Sequence, residues 1–526
     1  MQKKFLIPLF LLTLFLAISS VSASENATDV LDISEVETND VSNVRDISSD
    51  NEVLSDDDSS QITQMAENQL LGDNSSSEIV KSKSSVSASK VTGYESFTTQ
   101  FVVKLLIDGK AASGKKVLIN VDDKNYTRKT DDKGKATLNI KLLKGTYKVK
   151  FSYAGDENVT SSKGSSKITV KESLKTEFRV DKYINFRQGL KSLFYVKLVD
   201  KNSKAVKGQM VTIKVAGKTY KVKTTKKGYA RLFLSLKKGN YKIKCSFSKK
   251  QPYLSSSKTV KIKVRAKMVK GNGYWLWPMH MSSIDLKKLA SRGTKNIFLL
   301  GSAVSSYGKS YVVSWIKRAN SYGMKVHMWM LVCYDGDWAY PVKHDGSYKH
   351  AFINQKINEA KYYAKIKGVA GVHLDYMRFG GTAHNYINSK ESITYVVKKI
   401  SYAVHKIKPN AIVSVAVMPE PKMMLYYYGQ DIPVLSRYVD ALLPMAYKSA
   451  YGKSTNWIKS VTKTFAKQSN GAKIWTGIES YKSENNPVSL SHKELMKNAR
   501  AAMAGGAGGV VIFRIGLTNY LDFKKV

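Results

Sequence analysis

The stretch GVHLDYMRF at residues 371–379 is an apolar run that ends in a carboxylate, an aromatic ring and a cation. Residues two apart in a β-strand share a face, so His373 and Asp375 point to one side while Val372 and Leu374 point to the other. Helical patterns at 354–367 and 391–406 flank the stretch. The sequence therefore predicts a buried strand between two helices, with a polar site at its carboxyl end.

Two interpretations of Asp375 follow from this placement. In a parallel α/β barrel the carboxyl ends of the strands carry the chemistry, which would make Asp375 a catalytic group. Alternatively, Asp375 and Arg378 form a structural ion pair, since ion-pair networks also perturb carboxylates.

Two motifs carry a resemblance to a known family. GVHLDYMRF resembles the fourth-strand signature of a group of largely uncharacterised glycoside-hydrolase-like TIM barrels, and LLPMAY at 442–447 is similar to their sixth strand. The resemblance covers about half the chain and implies a barrel that acts on glycans. Members of that group usually have proline after the final aromatic residue, whereas Gly380 and Gly381 follow Phe379 here.

The C-terminal part, predicted as one domain at 267–526, alternates apolar β-runs with amphipathic helical patterns, which indicates βα units. Eight strands are predicted, at 273–279, 296–302, 325–333, 369–375, 412–418, 441–447, 473–479 and 509–514. This number in about 260 residues is typical of a (β/α)8 TIM barrel. A doubly wound open sheet is the alternative, and only residues 515–526 remain for an eighth helix.

An internal repeat precedes this domain. Gly114, Gly134 and Gly145 recur as Gly208, Gly228 and Gly239, each at an offset of 94 residues, and KGTYKVKF at 144–151 matches KGNYKIKC at 238–245. Short alternating runs separated by glycine turns predict two all-β Ig-like sandwiches, at 88–171 and 172–266. FSYAGDENVTSS at 151–162 is similar to Ig-like repeats of archaeal adhesin-like surface proteins.

The N-terminal region has two parts. Residues 1–23, with Lys3 and Lys4 before an apolar run, have the layout of a secretory signal peptide, and a membrane anchor is the alternative. Residues 24–87 are rich in Ser, Asp, Asn and Glu and predict a disordered acidic spacer. The mature protein is therefore expected to be secreted or attached to the cell surface, without a transmembrane span.

The formal charge of +44, from 85 Lys and Arg against 41 Asp and Glu, favours an anionic partner. For an exported chain we expect an anionic wall or surface polymer rather than nucleic acid. Only two cysteines occur, Cys245 and Cys333, and they fall in different predicted domains. They are expected to be buried small apolar residues and not a disulfide framework.

Glycoside hydrolysis requires two carboxyl groups, one protonated and one ionised. Asp375 at the end of the fourth strand is the first candidate. Its partner is either Glu420, between Pro419 and Pro421, or Glu479 at the end of the seventh strand, and the sequence leaves this choice open.

Further residues at strand ends are candidates for substrate binding. Aromatic rings suit the C–H faces of sugars, and polar groups can bind hydroxyls. The candidates are Tyr376, Arg378, Tyr447, Trp338, Trp277, Asp337, His373 and Arg514. A metal site built from His327, His373, Asp335 and Asp337 is a weaker alternative, because no spacing matches a known ligand motif, and no cofactor is expected.

The sequence thus predicts an exported glycoside hydrolase that acts on a cell-wall or surface polysaccharide, such as pseudomurein. A non-catalytic, carbohydrate-binding, adhesin-like surface protein is the alternative.

Overall fold

The computed structural model describes residues 80–181, 183–483, 487–517 and 520–526. The predicted signal peptide, and the predicted spacer as far as residue 79, lie outside these residues. In the described part of the chain, no helix is long and apolar enough to cross a membrane. The described residues divide into two compact units: a first all-β module, and a second all-β module together with the C-terminal barrel.

The first module consists of two antiparallel sheets around one apolar core. One sheet contains β1 (Ser84–Ser87), β3 (Thr99–Ile107), β4 (Lys110–Ala111) and β7 (Lys135–Ile140). The other contains β2 (Val91–Tyr94), β5 (Lys116–Val121), β6 (Lys124–Lys129), β8 (Gly145–Tyr153) and β9 (Ser162–Lys171). Phe101 of one sheet lies 6.2 Å from Phe151 of the other, measured between ring centroids.

The predicted start of this module at residue 88 is too late. Strand β1 pairs with β3 from Ser84 onward and therefore belongs to the sheet. Its sequence, SSVS, is too polar to indicate a strand. Its place comes from backbone hydrogen bonds to a neighbour with a buried face, and a spacer-like composition does not show such bonds.

The second module also has two sheets around a core. One contains β10 (Thr176–Arg179), β12 (Ser192–Asp200) and β15 (Tyr229–Leu234). The other contains β11 (Phe186–Arg187), β13 (Met210–Val215), β14 (Lys218–Lys223), β16 (Gly239–Phe247) and β17 (Ser256–Arg265). Strands β13 to β17 begin and end 94 residues after β5 to β9, so the sequence repeat is also a repeat of strands.

The C-terminal domain is a parallel barrel. Its strand segments are β18 (Gly273–Leu276), β19 (Asn296–Leu300), β20 (Lys325–Leu331), β21 (Gly371–Asp375), β22 (Ile412–Val417), β23 (Ala441–Pro444), β24 (Lys473–Ile474), β25 (Thr476–Glu479) and β26 (Val510–Phe513). Segments β24 and β25 lie on either side of Trp475 and together form the seventh strand. Each pairs in parallel with its neighbour, and β18 pairs with both β19 and β26.

The sheet closes on itself, which excludes the open doubly wound alternative. Segment β24 pairs with β23 and β25 pairs with β26. The Ala446 backbone N–H donates to the Gly477 carbonyl oxygen over 2.9 Å, which joins the sixth strand to the second half of the seventh. The eight predicted strands are therefore confirmed as one ring.

Helices cover the outside of the ring. They are α1 (Leu286–Ser291), α2 (Ala303–Tyr307), α3 (Lys309–Ser321), α4 (His350–Lys365), α5 (Ser389–Ile407), α6 (Ile432–Leu435), α7 (Thr455–Gln468) and α8 (His492–Ala504). After the last strand, the described residues contain only a 3₁₀ turn, Phe523–Lys525. The buried ring of Phe523 packs 5.5 Å from Tyr274 of the first strand.

Side chains of both faces of the strands are buried, because helices lie outside and a second core lies inside. The inner core contains Trp275, Phe298, Trp329, Ile412, Ala441, Leu443, Trp475 and Val511. Two-sided burial is the reason that these strands are nearly continuous apolar runs.

The second module packs on the barrel through buried charges. Asp440, which precedes β23, is fully buried and accepts hydrogen bonds from Arg187 (3.0 Å) and Arg265 (2.9 Å) of the module. His405 of α5 lies 3.0 Å from its other oxygen. The module and the barrel therefore share a core of ionic contacts, and the predicted boundary at 267 does not separate independent bodies.

Candidate functional site

Asp375 ends the fourth barrel strand and is 8% exposed. Both carboxylate oxygens accept a hydrogen bond: Oδ1 from the Tyr376 backbone N–H (2.7 Å) and Oδ2 from Trp329 Nε1–H (3.0 Å). Burial raises the pKa of Asp375, while these two donors and the positive charge of Arg378 oppose the rise. The site thus contains a desolvated carboxyl group whose position is fixed by two donors.

The ion pair between Asp375 and Arg378, considered from the sequence, does not form. In the described residues no nitrogen of Arg378 lies within 4.0 Å of the Asp375 carboxylate. Tyr376, between them, has a φ of +49°, in the left-handed region that non-glycine residues rarely adopt.

The guanidinium group of Arg378 lies among three aromatic rings instead. It is 5.0 Å from the ring centroid of Trp338, 5.1 Å from Tyr376 and 5.7 Å from Tyr428. Nη1 donates to the Phe379 carbonyl oxygen over 3.1 Å. Contacts of a cation with ring faces fix this side chain within reach of the site and keep it buried.

Glu479 ends the seventh strand and is 3% exposed. The Ser449 backbone N–H donates to Oε1 over 2.5 Å, and the Ala450 N–H lies 3.4 Å from Oε2. Burial raises its pKa to about 7, against the lowering effect of these donors and of Lys448. Glu479 is therefore a carboxyl group that can carry a proton near neutral pH.

Glu420 follows the fifth strand and is half-buried. Its Oε2 accepts hydrogen bonds from the hydroxyl groups of Tyr428 (2.9 Å) and Tyr451 (3.4 Å). Burial raises the pKa of both tyrosines. Tyr451 belongs to the loop after the sixth strand, the same loop whose backbone binds Glu479, so this loop contacts both glutamates.

Aromatic rings lie between the ends of the fourth and seventh strands. Trp329, which binds Asp375, lies 6.3 Å from the ring of Phe513. Phe513 pairs in register with Glu479 and stacks on Tyr447 at 5.6 Å. The rings of Trp329 and Phe513 are nearly perpendicular, at 81°, so Trp329 meets Phe513 edge to face while Tyr447 stacks on it.

Two further groups of predicted residues lie at the same end of the barrel. Arg514 lies 3.8 Å from the ring centroid of Trp277, after the last and first strands. Trp338 contacts Tyr376 at 5.9 Å, and exposed Asp337 accepts a hydrogen bond from the Trp338 backbone N–H. Tyr376, Trp338 and Arg378 are thus brought together, while Trp277 and Arg514 form a separate pair.

The glycine that follows Phe379, where proline was expected, is explained by steric contact with Trp338. A Cβ atom on Gly380 would lie 2.6 Å from the Trp338 ring. Glycine at this position therefore allows Trp338 to approach the Arg378 side chain.

The prediction that His373 binds substrate is wrong. The side chain is fully buried inside the barrel, where Nε2 accepts a hydrogen bond from Trp275 Nε1–H (3.0 Å) and Nδ1 lies 2.9 Å from Ser414 Oγ. Burial lowers its pKa well below the ordinary value, so the ring is neutral. His373 and Asp375 share the inward face of the strand, as the alternation predicts. Asp375 lies at the end of the strand, whereas His373, two residues earlier, lies in the enclosed core of the barrel.

The alternative metal site does not assemble. His327 is also enclosed, with Nε2 3.0 Å from Asn296 Oδ1, whereas Asp335 and Asp337 lie exposed in the loop after the third strand. Among the described residues, no group of His, Cys, Asp and Glu side chains is arranged to hold a metal ion. Cys245 and Cys333 are both buried and unpaired, as predicted.

Five contributors to the site were missed from the sequence: the donor role of Trp329, the hydroxyl groups of Tyr428 and Tyr451, and the backbone N–H groups of Ser449 and Ala450. Only their positions in the sequence could have indicated these residues. Trp329 lies on the inward face of the third strand, and the loop at 447–452 comes soon after the sixth strand. Backbone donors have no sequence signature.

Comparison with known proteins gives distant structural likenesses only. No family model and no curated protein matches the chain. A class V chitinase from Pseudomonas fluorescens covers 49% of this chain and 98% of its own at 12% identity, with a TM-score of 0.39. An endo-1,4-β-D-mannanase from Thermotoga petrophila covers 47% and 88% at 13% identity, with a TM-score of 0.36. A spore cortex-lytic enzyme from Bacillus cereus covers 51% and 76% at 12% identity, with a TM-score of 0.35. These likenesses are too weak to assign an activity to this chain.

Proposed function

We propose that the protein is a glycoside hydrolase whose two catalytic carboxyl groups are Asp375 and Glu479. The observation that carries the proposal is the difference between their environments at one end of the barrel. Burial raises the pKa of both groups, that of Glu479 to about 7, while the positive charge of Arg378 and the donors of Tyr376 and Trp329 favour the ionised form of Asp375. One group can thus be protonated while the other is ionised, which glycoside hydrolysis requires.

The roles follow from these environments. Glu479 donates its proton to the glycosidic oxygen as the bond to the leaving sugar breaks. Asp375, in its ionised form, stabilises the positive charge that develops on the sugar ring and acts as nucleophile or base; the donors of Tyr376 and Trp329 and the charge of Arg378 favour that form against the effect of burial. Glu420 is bound by two tyrosine hydroxyls, and we assign it to positioning the loop that contacts Glu479.

The substrate class is proposed from the surroundings of the pair. The partly exposed rings of Phe513, Tyr376 and Trp338 can contact sugars, and Arg378 adds a positive charge beneath Trp338 and Tyr376. We propose a cell-wall or surface polysaccharide, with pseudomurein as one candidate, reached by export through the signal peptide predicted at 1–23.

The test is the release of reducing ends from a panel of neutral and anionic polysaccharides, including purified pseudomurein. The wild-type full chain is compared with the double variant Asp375→Asn/Glu479→Gln. Release by the wild type alone supports the proposal. Binding to a polysaccharide without hydrolysis by either protein would favour the alternative of a carbohydrate-binding surface protein.

The rate should depend on pH in a defined direction. Glu479 must be protonated to act as the acid, so kcat/KM is expected to fall as the pH rises through about 7. A pH profile of the wild type measures this alkaline limb, and Glu479→Gln, which has no proton to lose, should not show it. A wild-type rate that stays constant well above neutrality would contradict the assignment of Glu479.

Trp329→Phe tests how Asp375 is kept ionised. The substitution removes one of its two donors while retaining an aromatic ring, so the pKa of Asp375 should rise further. The acidic limb of the pH profile is then expected to move to higher pH, with the alkaline limb unchanged. A loss of rate with both limbs in place would mean that Trp329 serves only in packing.

A further inference from the structure

The second all-β module presents a surface of lysines on its five-stranded sheet. Strands β13, β16 and β17 bury alternate apolar residues and expose the residues between them. The exposed set contains Lys214, Lys242, Lys244, Lys261 and Lys263, and Lys221 and Lys223 continue it on β14. We call these seven residues the lysine face.

The strand register places lysines directly opposite one another. Lys214 pairs with Lys244, and Lys242 pairs with Lys261. Neighbouring strands lie about 4.8 Å apart, so these positive charges are close together. Like charges directly opposite in a sheet destabilise it. The arrangement therefore has a cost that folding alone does not require.

No acidic side chain compensates the charge. The sequence contains no Asp or Glu between Lys201 and Ile284. Within the described residues, none of the seven lysines forms an ion pair. A surface that serves solubility carries both signs of charge interspersed, and this surface carries one.

Protection of sheet edges does not explain the lysines either. Lysines on edge strands prevent pairing with other chains. The sheet order is β11-β17-β16-β13-β14, so Lys214, Lys242 and Lys244 lie on interior strands, and only Lys261 lies on β17, which pairs with β11 solely at Val264 and Arg265.

The same pair occurs in the first module at the same register. Lys148 of β8 pairs with Lys167 of β9, and these positions precede Lys242 and Lys261 by 94 residues. The first module has Asp122 and Asp123 at the turn after β5, where the second has Ala216 and Gly217. The lysine pair is thus common to both modules, and the second module lacks the nearby acids.

We propose that the lysine face binds a linear anionic polysaccharide. Positive charges on adjacent strands form an extended flat array that suits a polymer with regularly spaced carboxylate, sulfate or phosphate groups. The uncharged residues on the same face include Thr212, Ser246 and Thr259, whose hydroxyls can bind sugar hydroxyls. No aromatic side chain stands among them for nucleic-acid bases to stack on.

The experiment compares two variants of the full chain with the same loss of charge. The face variant carries Lys214→Gln, Lys242→Gln, Lys244→Gln and Lys261→Gln. The control carries Lys204→Gln, Lys207→Gln, Lys226→Gln and Lys227→Gln, at exposed positions in the connections before β13 and after β14. Binding to dextran sulfate, carboxymethyl dextran and uncharged dextran of equal length is measured over a salt series.

The wild type should bind both charged dextrans and not the uncharged one. The face variant should bind at least about tenfold more weakly and with a reduced salt slope, and the control within about twofold of wild type. The face variant should be at least as stable to heat as wild type, because the repulsion between paired lysines is removed. Equal weakening of both variants, or of neither, would overturn the proposal.

Two competing ligands test whether the lysine face binds something other than a polysaccharide. Duplex DNA that binds more tightly than the charged dextrans would assign the face to nucleic acid. A peptide of residues 24–79, which contains many acids and only one basic residue, Arg45, would assign it to the chain's own N-terminal segment if it displaced the dextrans at lower concentration. Glu479→Gln should bind as the wild type does, so this proposal and the proposed hydrolase fail or succeed separately.

Discussion

Replacing Glu479 by glutamine is expected to lower kcat about 10²–10⁴-fold, the usual contribution of a general acid. Glutamine keeps the side-chain shape and can still accept the hydrogen bond from the Ser449 backbone N–H, so the fold should be retained. The measurement is the initial rate of reducing-end release on the best substrate of the panel. Glu391→Gln, on the exposed side of α5, is the matched control and should have the wild-type rate.

The leaving group separates the two carboxyl roles. An aryl glycoside with an acidic phenol as leaving group needs little protonation, so Glu479→Gln should recover much of its rate on it. Asp375→Asn should remain slow on the same compound, because charge development on the sugar still lacks its partner. Recovery by Asp375→Asn instead would exchange the two roles. If Glu420→Gln lowers kcat as much as Glu479→Gln does, Glu420 would be the general acid instead.

Replacing Asp440 by asparagine is expected to destabilise the unit of second module and barrel by about 3–5 kcal/mol. The amide removes the negative charge but not the two buried guanidinium groups, Arg187 and Arg265, which then have no counter-charge. Burial opposes ionisation of Asp440, but Arg265, Arg187 and His405 hold its pKa well below the usual value. Urea unfolding of the full chain measures the loss, followed by tryptophan fluorescence for the barrel, which contains all seven tryptophans, and by circular dichroism for the β-modules as well.

Asp522→Asn is the control for this effect. Asp522 lies 3.9 Å from the exposed Lys525 side chain, and such surface pairs contribute about 0–1 kcal/mol. A loss below about 1 kcal/mol for Asp440→Asn would show that the charge network does not join the module to the barrel. Separate unfolding transitions of the two in the wild type would show the same.

The network also predicts lower stability in acid. Burial lowers the pKa of His405 to about 4, from an ordinary value of 6.5. Between these values the unfolded state binds a proton that the folded state does not, so stability falls as the pH drops through this window. Below it, protonation of Asp440 in the unfolded state adds to the loss. The same urea titration over pH 7 to 4 measures the slope.

Much of the fold could be predicted from the sequence. All eight barrel strands begin within two residues of their predicted starts, because strands buried on both faces form apolar runs that few other structures share. The repeat of 94 residues reappears as five strands with identical offsets. Strand β1 was missed, since a polar strand at the margin of a sheet depends on its neighbour rather than on its own residues.

Less of the site could be predicted. The strand ends predicted Asp375, Glu420 and Glu479 as candidates, and the structure places Asp375 and Glu479 at the ends of their strands and Glu420 three residues after the fifth strand. The choice between the two glutamates was open, and His373 was placed on the right face at the wrong depth. Whether an inward residue lies at the rim or in the closed core depends on how strands are staggered around the ring, and one strand does not contain this information.

The sequence by itself determined where the strands lie, which residues alternate inward, and that two β-modules precede a βα domain. These features depend on local periodicity, which every short segment carries. The tertiary structure decided the pKa of Glu479, the donors to Asp375, the enclosure of His373 and the ionic joint at Asp440. Each of these depends on desolvation and on contacts between residues far apart in the chain: Arg187 and Asp440, for example, are 253 positions apart. Such contacts exist only after the barrel has closed and the second module has packed on it.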